Sequence, residues 1–577
     1  MENKWHLCDA FKAVSYDQDK IKPPAETVAE VKKKLAALDM KIFEETIRID
    51  SGRLDIPVFF SICGPDAVNL TGTNKQMGKG ATPDQAEASA IMELVERFSF
   101  YAFLNNDKNL KLATITELGN RAMEPEMIAG SVGDTSGDAG PALDFLSKIP
   151  LRWAHGFNLT RNVPVLVPID WFFAINEFNG TSAGNCLEEA LCQGICEIVE
   201  RHVSAVVCQD KPDIPGIRPE SATQPVVCRL LEKYKKNRIK IYVSDFSLGM
   251  GIPTVGVMAW DPATFPARSE IVWTAGTAPD PQKAFSRALT ETAQLAGDFE
   301  TKSNYVASGL PKPRSFDEFP FIIHPGSMVD ISDLPDISDQ NIRIEVINCI
   351  ERLKAKDMEI ISINTTHPEL NIPALYTMIP GARFRERARA GSVGMFTAKL
   401  ILDQYGPARA IDMLHDMERI LPDKYYIHFY IGQALYESER PDEAVASFEK
   451  SLSLDPPDED AAAVYSFLGA ALNCSGKFPD AIKALEKGAE LDPERTDIYN
   501  QLGFAYFKQK KHEKAIDAFK NVIRINPSSA IDYANIGTNF RELGDIENAI
   551  FYYHTAIQID PGIEFAWTNL QQLTKRK

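Results

Sequence analysis

The sequence predicts an α+β N-terminal domain holding three related strand–turn–helix units, followed by an all-α solenoid of paired helices. Two observations carry this reading. Three segments of the first 390 residues repeat one another at offsets of 104 and 94 residues, and in the last third glycine, alanine and proline recur in step at intervals near 34. A chain of 577 residues is long enough for several cores, and 44% hydrophobic with 25% charged residues is a globular composition. The expected division is a leading region over 1–60, a catalytic domain over 61–390 and a repeat array over 391–577.

Strand-like runs alternate with helical patterns in the first domain. The runs are IPVFFSICG, VPVLVPIDWFFAI, IPTVGVMAW and SEIVWTAG, and they mark an α/β or α+β body. The segment GATPDQAEASAIMELVERF (80–98) matches GNCLEEALCQGICEIVERH (184–202) through Gly80/Gly184, Ala86/Ala190, Glu93/Glu197, Glu96/Glu200 and Arg97/Arg201. A third copy, DPQKAFSRALTETAQL, puts Ala284, Arg287 and Glu291 at the places of Ala190, Gln193 and Glu197. Each copy opens with a helix-start signal. Thr82-Pro83-Asp84-Gln85 reads as N-cap, Pro at N1 and capping-box Gln; Asn185 with Glu188 repeats that logic; Asp280-Pro281 is a third start.

In the last third, Gly432, Gly469, Gly503 and Gly537 are spaced 37, 34 and 34 apart. Ala444, Ala481, Ala515 and Ala549 keep that spacing, as do Pro456, Pro493, Pro527 and Pro561. The small residues let two helices approach, and the proline stands where a helix cannot continue. A large residue follows each alanine by four: Phe448, Leu485, Phe519 and Tyr553. This is the tetratricopeptide-repeat (TPR) pattern. With a fainter copy through Ala398, Ala410 and Pro422, about five repeats are expected over 391–562, with a capping helix over 563–577. The three extra residues near PPDEDAAAVY are expected in a loop. Such a solenoid offers a concave face to a peptide or protein partner.

The helices of the first domain suggest chemistry. At 100° per residue, Glu189, Gln193, Glu197 and Glu200 fall within about 80° of one another. Ser89, Glu93 and Glu96 form a like stripe, with Arg97 at its edge. Such carboxylates repel unless neutralised. Two facing E-x-x-E-R helix ends gather four carboxylates, a hard oxygen set that suits Mg²⁺ when phosphates complete its shell. The adjacent arginines suit those phosphates. No P-loop is present, because GTNKQMGKGAT lacks the GK[ST] ending, and no G-x-G-x-x-G follows a strand.

The stretches TGTNKQMGKGATPDQAEASAIMELVERFSF and SAGNCLEEALCQGICEIVERH resemble the signature segments of the YcaO family, and the resemblance extends over roughly 20–390. It implies ATP bound without a P-loop, with Glu93, Glu96, Glu197 and Glu200 holding Mg²⁺ against the phosphates. Ser89, Arg97, Glu189, Gln193 and Arg201 are implied around the nucleotide, and Arg287 at the phosphates, with Arg287 and Glu291 as catalytic residues. KIKPPAETVAEVKKKLAAL resembles the family's leading helix, placing Lys20 near the phosphates and Thr27, where the family residue can be Ser, near the adenosine. The implied reaction is nucleophile addition to a backbone amide, phosphorylation of the oxyanion by ATP, and loss of phosphate. The product is an azoline, thioamide or amidine according to the nucleophile. Azoline-forming members often carry a proline-rich tail. This chain ends QQLTKRK, so thioamidation is the expectation, or an accessory role in sulfur modification of a ribosomal protein. The array is then expected to recruit the protein substrate, a sulfur-delivering partner or a methylthiotransferase. A nucleotide-controlled TPR adaptor is the reading from another class.

Other features mostly exclude. A net charge of −18 argues against a large nucleic-acid footprint. Arg383, Arg385, Arg387 and Arg389 form a local basic run, read as a solvated edge. Nine cysteines occur without a CxxC pair; Cys192 and Cys196 stand four apart on a predicted helix, and no second pair or nearby His completes a zinc set. No apolar run spans a membrane, no signal peptide is seen, and a cytoplasmic protein is expected. A homodimer is compatible with this architecture.

Overall fold

The structure is a computed structural model describing residues 5–13, 19–50, 52–266, 269–296, 299, 315–384 and 391–574. The chain forms two compact units: Met1–Gly133 with Ser147–Arg387, and Asp134–Leu146 with Ala388–Lys577. Among the described residues no helix is long and apolar enough to cross a membrane.

The first unit is α+β with three sheets. One is antiparallel, in the order Phe43–Arg48, Val58–Cys63, Lys75–Lys79. The second runs Val272–Thr277, Thr254–Trp260, Lys240–Asp245, Gly216–Ile217, Met328–Val329, with only the last pair parallel. The third runs Leu110–Ala113, Leu151–Asn158, Ile361–Asn364, Ala374–Met378, Thr181–Ala183, with Val163–Pro168 beside Leu151–Asn158. The strands at one end of each order (Lys75–Lys79, Thr181–Ala183 and Val272–Thr277) lead into the three related helices, Pro83–Leu104, Leu187–Asp210 and Pro281–Ala296.

The three units share one packing rule. Equivalent strand positions are Gly78, Ser182 and Gly276; the helix positions facing them are Ala90, Gly194 and Ala288. A β-carbon on Gly78 would stand 2.0 Å from the Ala90 nitrogen, and one on Gly276 would stand 2.5 Å from the Ala288 nitrogen. In the middle unit the strand carries the serine, and the helix supplies the glycine. Close approach thus needs one residue without a β-carbon per pair, on either element. The leading helix Pro24–Ala36 packs Val28, Val31 and Leu35 with Ile91, Leu94, Val95 and Phe98 of the first related helix.

Two sequence readings are corrected here. The run VPVLVPIDWFFAI is a strand only to Pro168; Ile169–Asn176 is a helix. Its residues are buried nearly all round, and a wholly buried run carries no period to tell strand from helix. The second related helix is N-capped by Cys186, not Asn185. Asn185 instead donates through its backbone and side-chain nitrogens to Glu189, at 2.8 and 3.0 Å, while Glu188 accepts from the Cys8 backbone at 2.6 Å.

The second unit is helical. From Val393 to Ile559 ten helices follow one another in pairs, and Glu564–Thr574 comes after them. In four pairs the repeated glycine receives the large residue of the partner helix: a β-carbon on Gly432 would stand 2.5 Å from Phe448, and Gly469/Leu485, Gly503/Phe519 and Gly537/Tyr553 behave alike. The three extra residues do not form a loop. Together with one residue taken from the preceding turn, they lengthen Asp458–Cys474 to 17 residues, where the equivalent helices have 13. Ala461, Ala462 and Ala463 favour helix, and Asp458, Glu459 and Asp460 stabilise its N-terminus. The short helix Ala139–Leu146 also belongs to this unit and packs on Val393–Tyr405.

Candidate functional site

The leading helix and the three related helices surround one cavity of about 690 Å³. All thirteen residues singled out from the sequence line it: Lys20, Thr27, Ser89, Glu93, Glu96, Arg97, Glu189, Gln193, Glu197, Glu200, Arg201, Arg287 and Glu291.

The carboxylates are held from both sides. Glu96 accepts from the Thr181 hydroxyl at 2.6 Å and lies 3.4 Å from Arg97. Arg97 also donates to Thr181 at 2.9 Å, lies 3.7 Å from Glu93, and stacks on Phe178 with its guanidinium 3.9 Å from the ring centre. Glu197 accepts from Arg201 at 3.1 Å. Glu200 accepts the backbone N–H of Thr277 at 2.8 Å, joining the second helix to the strand that leads into the third.

Crowding shows in the acidities. Burial pushes Glu96 up to about 8, with Glu197 and Glu93 adding to it against Arg97. Burial, then Glu291, pushes Glu200 up to about 7. Glu93 is raised by burial, with Glu197 and Glu291 adding. These groups give up protons reluctantly without a cation, and a divalent ion would reverse that. Among the described residues no three His, Cys, Asp or Glu side chains are arranged to hold a metal alone. Mg²⁺ is commonly bound through one or two carboxylates together with phosphate oxygens. The donor set is all oxygen, as Mg²⁺ requires.

Cationic groups line the same cavity. Arg287 donates to Gln193 at 3.0 Å, and its buried Nε has no hydrogen-bond partner among the described residues. A buried guanidinium N–H of this kind calls for an acceptor. Burial alone would lower Lys20, but Asp19 and Glu189 outweigh it and raise its pKa. Glu189 is fully employed within the protein: besides Asn185 it accepts the Ile21 N–H at 2.5 Å, fixing the segment that carries Lys20. Thr27 donates to Asn185 at 3.1 Å.

Several lining residues escape a reading of the sequence. Lys79 pairs with Glu291, and Lys283 lies 3.4 Å from Asp19. Lys283 occupies the place of Gln85 and Glu189 in the internal repeat, so that alignment holds a signal for it. Lys79 has none, since its partner is 212 residues away. Arg383 pairs with Asp210 at 2.6 Å, and its backbone N–H donates to His202, away from the cavity lining; Arg385, Arg387 and Arg389 lie outside the described residues.

Residues 77–383 match the family described as YcaO cyclodehydratase, ATP- and Mg²⁺-binding, and tetratricopeptide-repeat families match at 425–458, 469–510, 496–529 and 533–563. An uncharacterized protein of Methanothermobacter thermautotrophicus is 24% identical over 381 residues, 62% of this chain and 93% of that protein. The ribosomal protein S12 methylthiotransferase accessory factor YcaO of Escherichia coli is 28% identical over 241 residues, 38% of this chain and 40% of that protein. Among solved structures, a heterocyclase in complex with substrate and cofactor superposes with TM-score 0.54 at 22% identity, covering 67% of this chain and 55% of that one. YcaO from Methanopyrus kandleri bound with AMPPCP and Mg²⁺ superposes with TM-score 0.50 at 22% identity, covering 64% of this chain and 94% of that one. At these identities the two structures establish the fold.

Proposed function

Because the chain belongs to the YcaO family, we propose that its first unit uses ATP and Mg²⁺ to activate a backbone amide of a peptide or protein for sulfur insertion, giving a thioamide. The observation that carries this reading is the convergence of four carboxylates, three arginines and Lys20 on one cavity. Glu93, Glu96, Glu197 and Glu200 would hold Mg²⁺; Lys20, Arg97, Arg201 and Arg287 would meet the phosphates; Thr27, Ser89, Glu189 and Gln193 would line the nucleotide. When bound, ATP supplies the phosphoryl group that converts the amide oxygen into a leaving group, and Mg²⁺ neutralises its charge.

The chain's own residues orient and stabilise. Arg97 is fixed by Phe178 and Thr181 and presents a preset cation. Arg287, aimed by Gln193, has an N–H left to offer an oxygen that gains charge in the transition state. Glu291, paired with Lys79, stands where a proton from an incoming nucleophile could be taken. The TPR array would recruit the protein that carries the amide.

The test is phosphate release measured with Mg·ATP, sulfide and a peptide, with the peptide followed by mass. The reading predicts phosphate release coupled to replacement of one oxygen by sulfur. ATP binding that survives both Glu197→Ala and Glu200→Ala would remove the site assignment. The Escherichia coli relative favours a second reading, an accessory role in methylthiolation of a ribosomal protein. ATP turnover that rises with a methylthiotransferase and not with sulfide would select it.

A further inference from the structure

A second cavity, of about 560 Å³, adjoins the first and shares Asp19, Lys20, Glu189, Gln193, Lys283 and Arg287 with it. Lys20 and Arg287, among these, are the groups that the proposed function sets at the phosphates. Thr27, Ser89 and the carboxylates Glu93, Glu96, Glu197 and Glu200 line the first cavity and not the second. The second cavity therefore meets the nucleotide site at its phosphate end. A phosphoryl group passes roughly in line from leaving to attacking oxygen, so its acceptor stands beyond the phosphates, away from the nucleoside.

The rim of the second cavity is built from within. Lys12 and Glu345 line it 2.6 Å apart, with side chains only 8% and 4% exposed. Lys12 also donates its backbone N–H to the Gln340 carbonyl at 2.9 Å, and Glu345 accepts the Asp339 N–H at 3.2 Å. A buried ion pair thus pins Asp339 and Gln340, which are exposed and line the cavity where it reaches solvent. Of the lining that the first cavity does not share, the charged residues are Lys12, Asp280, Asp339 and Glu345. Lys12 is taken up by Glu345. Asp280 accepts from the Gln224 side chain at 2.7 Å and the Gln282 N–H at 2.8 Å, and Asp339 accepts the Asn341 N–H at 2.8 Å. Those donors are neutral, so the negative charge of both carboxylates is left for a group that enters from solvent.

We infer that the second cavity seats the amide acceptor, and that Asp280 and Asp339 select a peptide with a basic side chain next to the reacting amide. The inference deepens the amide-activating reading and rests on it for its purpose. It adds a place and a preference to that chemistry and no new step. The wall carries charge of opposite sign in its two parts. Lys20 and Arg287, on the shared part, serve the phosphates, while the carboxylates of the unshared part draw in a lysine or arginine side chain. Seated so, the basic side chain pairs with Asp280 or Asp339, and the neighbouring amide lies toward the shared wall. An acidic side chain at that place meets two like charges, which gives selection by repulsion as well as by attraction. The pinned backbone of Asp339 and Gln340 keeps the rim in shape before the peptide arrives, so less order has to be imposed on binding.

The experiment uses the full chain with Mg²⁺ and a non-hydrolysable ATP analogue. Two end-blocked tripeptides serve as probes, one with arginine and one with glutamate between two glycines, each carrying a benzophenone photolabel. The labelled residues are mapped by peptide mass. The arginine probe should label the segments at 224–226 and 338–342, about fivefold more strongly than the glutamate probe does, the upper range for an exposed ion pair. Asp339→Lys should remove that advantage, and Asp280→Asn should reduce it. Asp280 opens the third related helix, so its variant tests folding as well; Asp339 is exposed on the rim, and its variant decides the matter. Label confined to other segments, or an arginine advantage untouched by Asp339→Lys, overturns the assignment. The same peptides without the photolabel, given Mg·ATP and sulfide and followed by mass, test the parent reading separately. Label at the second cavity with no peptide gaining sulfur overturns the thioamide reading and supports the acceptor site. Thioamide formation with label elsewhere overturns the acceptor site alone.

Discussion

Gly194 lies against Ser182, so close that a β-carbon on the glycine would stand 2.8 Å from the serine hydroxyl. The serine oxygen is buried and makes no hydrogen bond among the described residues. The other two units solve the same contact in reverse, with glycine on the strand and alanine on the helix. Gly194→Ala should therefore destabilise the first unit by about 1–3 kcal/mol, the usual cost of overpacking. Adding Ser182→Gly should recover part of that loss, because the residue pair then matches its two counterparts. Recovery is incomplete, since Thr377 also stands 3.0 Å from the new carbon. Urea midpoints of the two single variants and the double variant check this; strictly additive losses would contradict it.

The raised carboxylates tie cation binding to pH. Glu96 at about 8 and Glu200 at about 7 both lie above the ordinary 4.5. The folded chain without a cation therefore binds more protons than the unfolded chain between about 4.5 and 8. The contribution of these groups to stability is full below about 4.5 and falls as pH rises through 7 and 8. Mg²⁺ favours the ionised form, so its stabilising effect should grow over the same interval. Thermal unfolding at pH 6.5 and 8 should show a larger Mg²⁺-dependent rise at the higher pH, with affinity higher by roughly tenfold. Glu96→Gln should flatten that difference.

The internal repeat makes much of this site legible in the sequence. Glu93, Glu197 and Glu291 share one register position, and Ser89, Gln193 and Arg287 share another, so helical geometry alone puts them on facing stripes. Contacts between distant segments are not legible. Lys79 meets Glu291, and Glu200 meets the Thr277 backbone, only because the fold brings separate elements together. Local signals also mislead where two conformations share one pattern. Ile169–Asn176 is apolar nearly all round and therefore without period, and Asn185 resembles an N-cap while serving as a donor to Glu189. In the array, the spacing of Gly503 and Ala515 marks the helix pair, but the seating of Phe519 on Gly503 emerges only from the packing itself.

That seating gives a test in the second unit. A β-carbon on Gly503 would stand 2.5 Å from the Phe519 ring. Gly503→Ala gains helix propensity of about 1 kcal/mol but forces the ring aside. The ring is 5% exposed and enclosed, so the clash should dominate and the array should lose about 1–2 kcal/mol. Amide exchange in Thr496–Lys508 and His512–Ile525 should quicken together. Gly503→Ala with Phe519→Leu should regain little of the protection, as a β-carbon on Gly469 would stand 2.4 Å from Leu485 in the natural Gly469/Leu485 pair.

Arg287 separates charge from shape. Gln193 fixes one of its terminal nitrogens at 3.0 Å and leaves Nε buried without a partner among the described residues. A lysine there keeps a cation but loses the planar fork. If Arg287 meets the transferring group, Arg287→Lys should lower kcat for ATP turnover by roughly 10²–10³-fold, the scale on which one preset donor acts. The Kd for Mg·ATP should change by less than about tenfold, because the lost contact strengthens only as charge develops. Gln193→Ala leaves the guanidinium in place but unaimed, and should cost less in kcat than Arg287→Lys does. Stopped-flow phosphate release alongside calorimetric nucleotide binding separates the two quantities. Equal losses in binding and turnover for Arg287→Lys would show a residue that holds ground-state phosphate and does nothing further in the transition state.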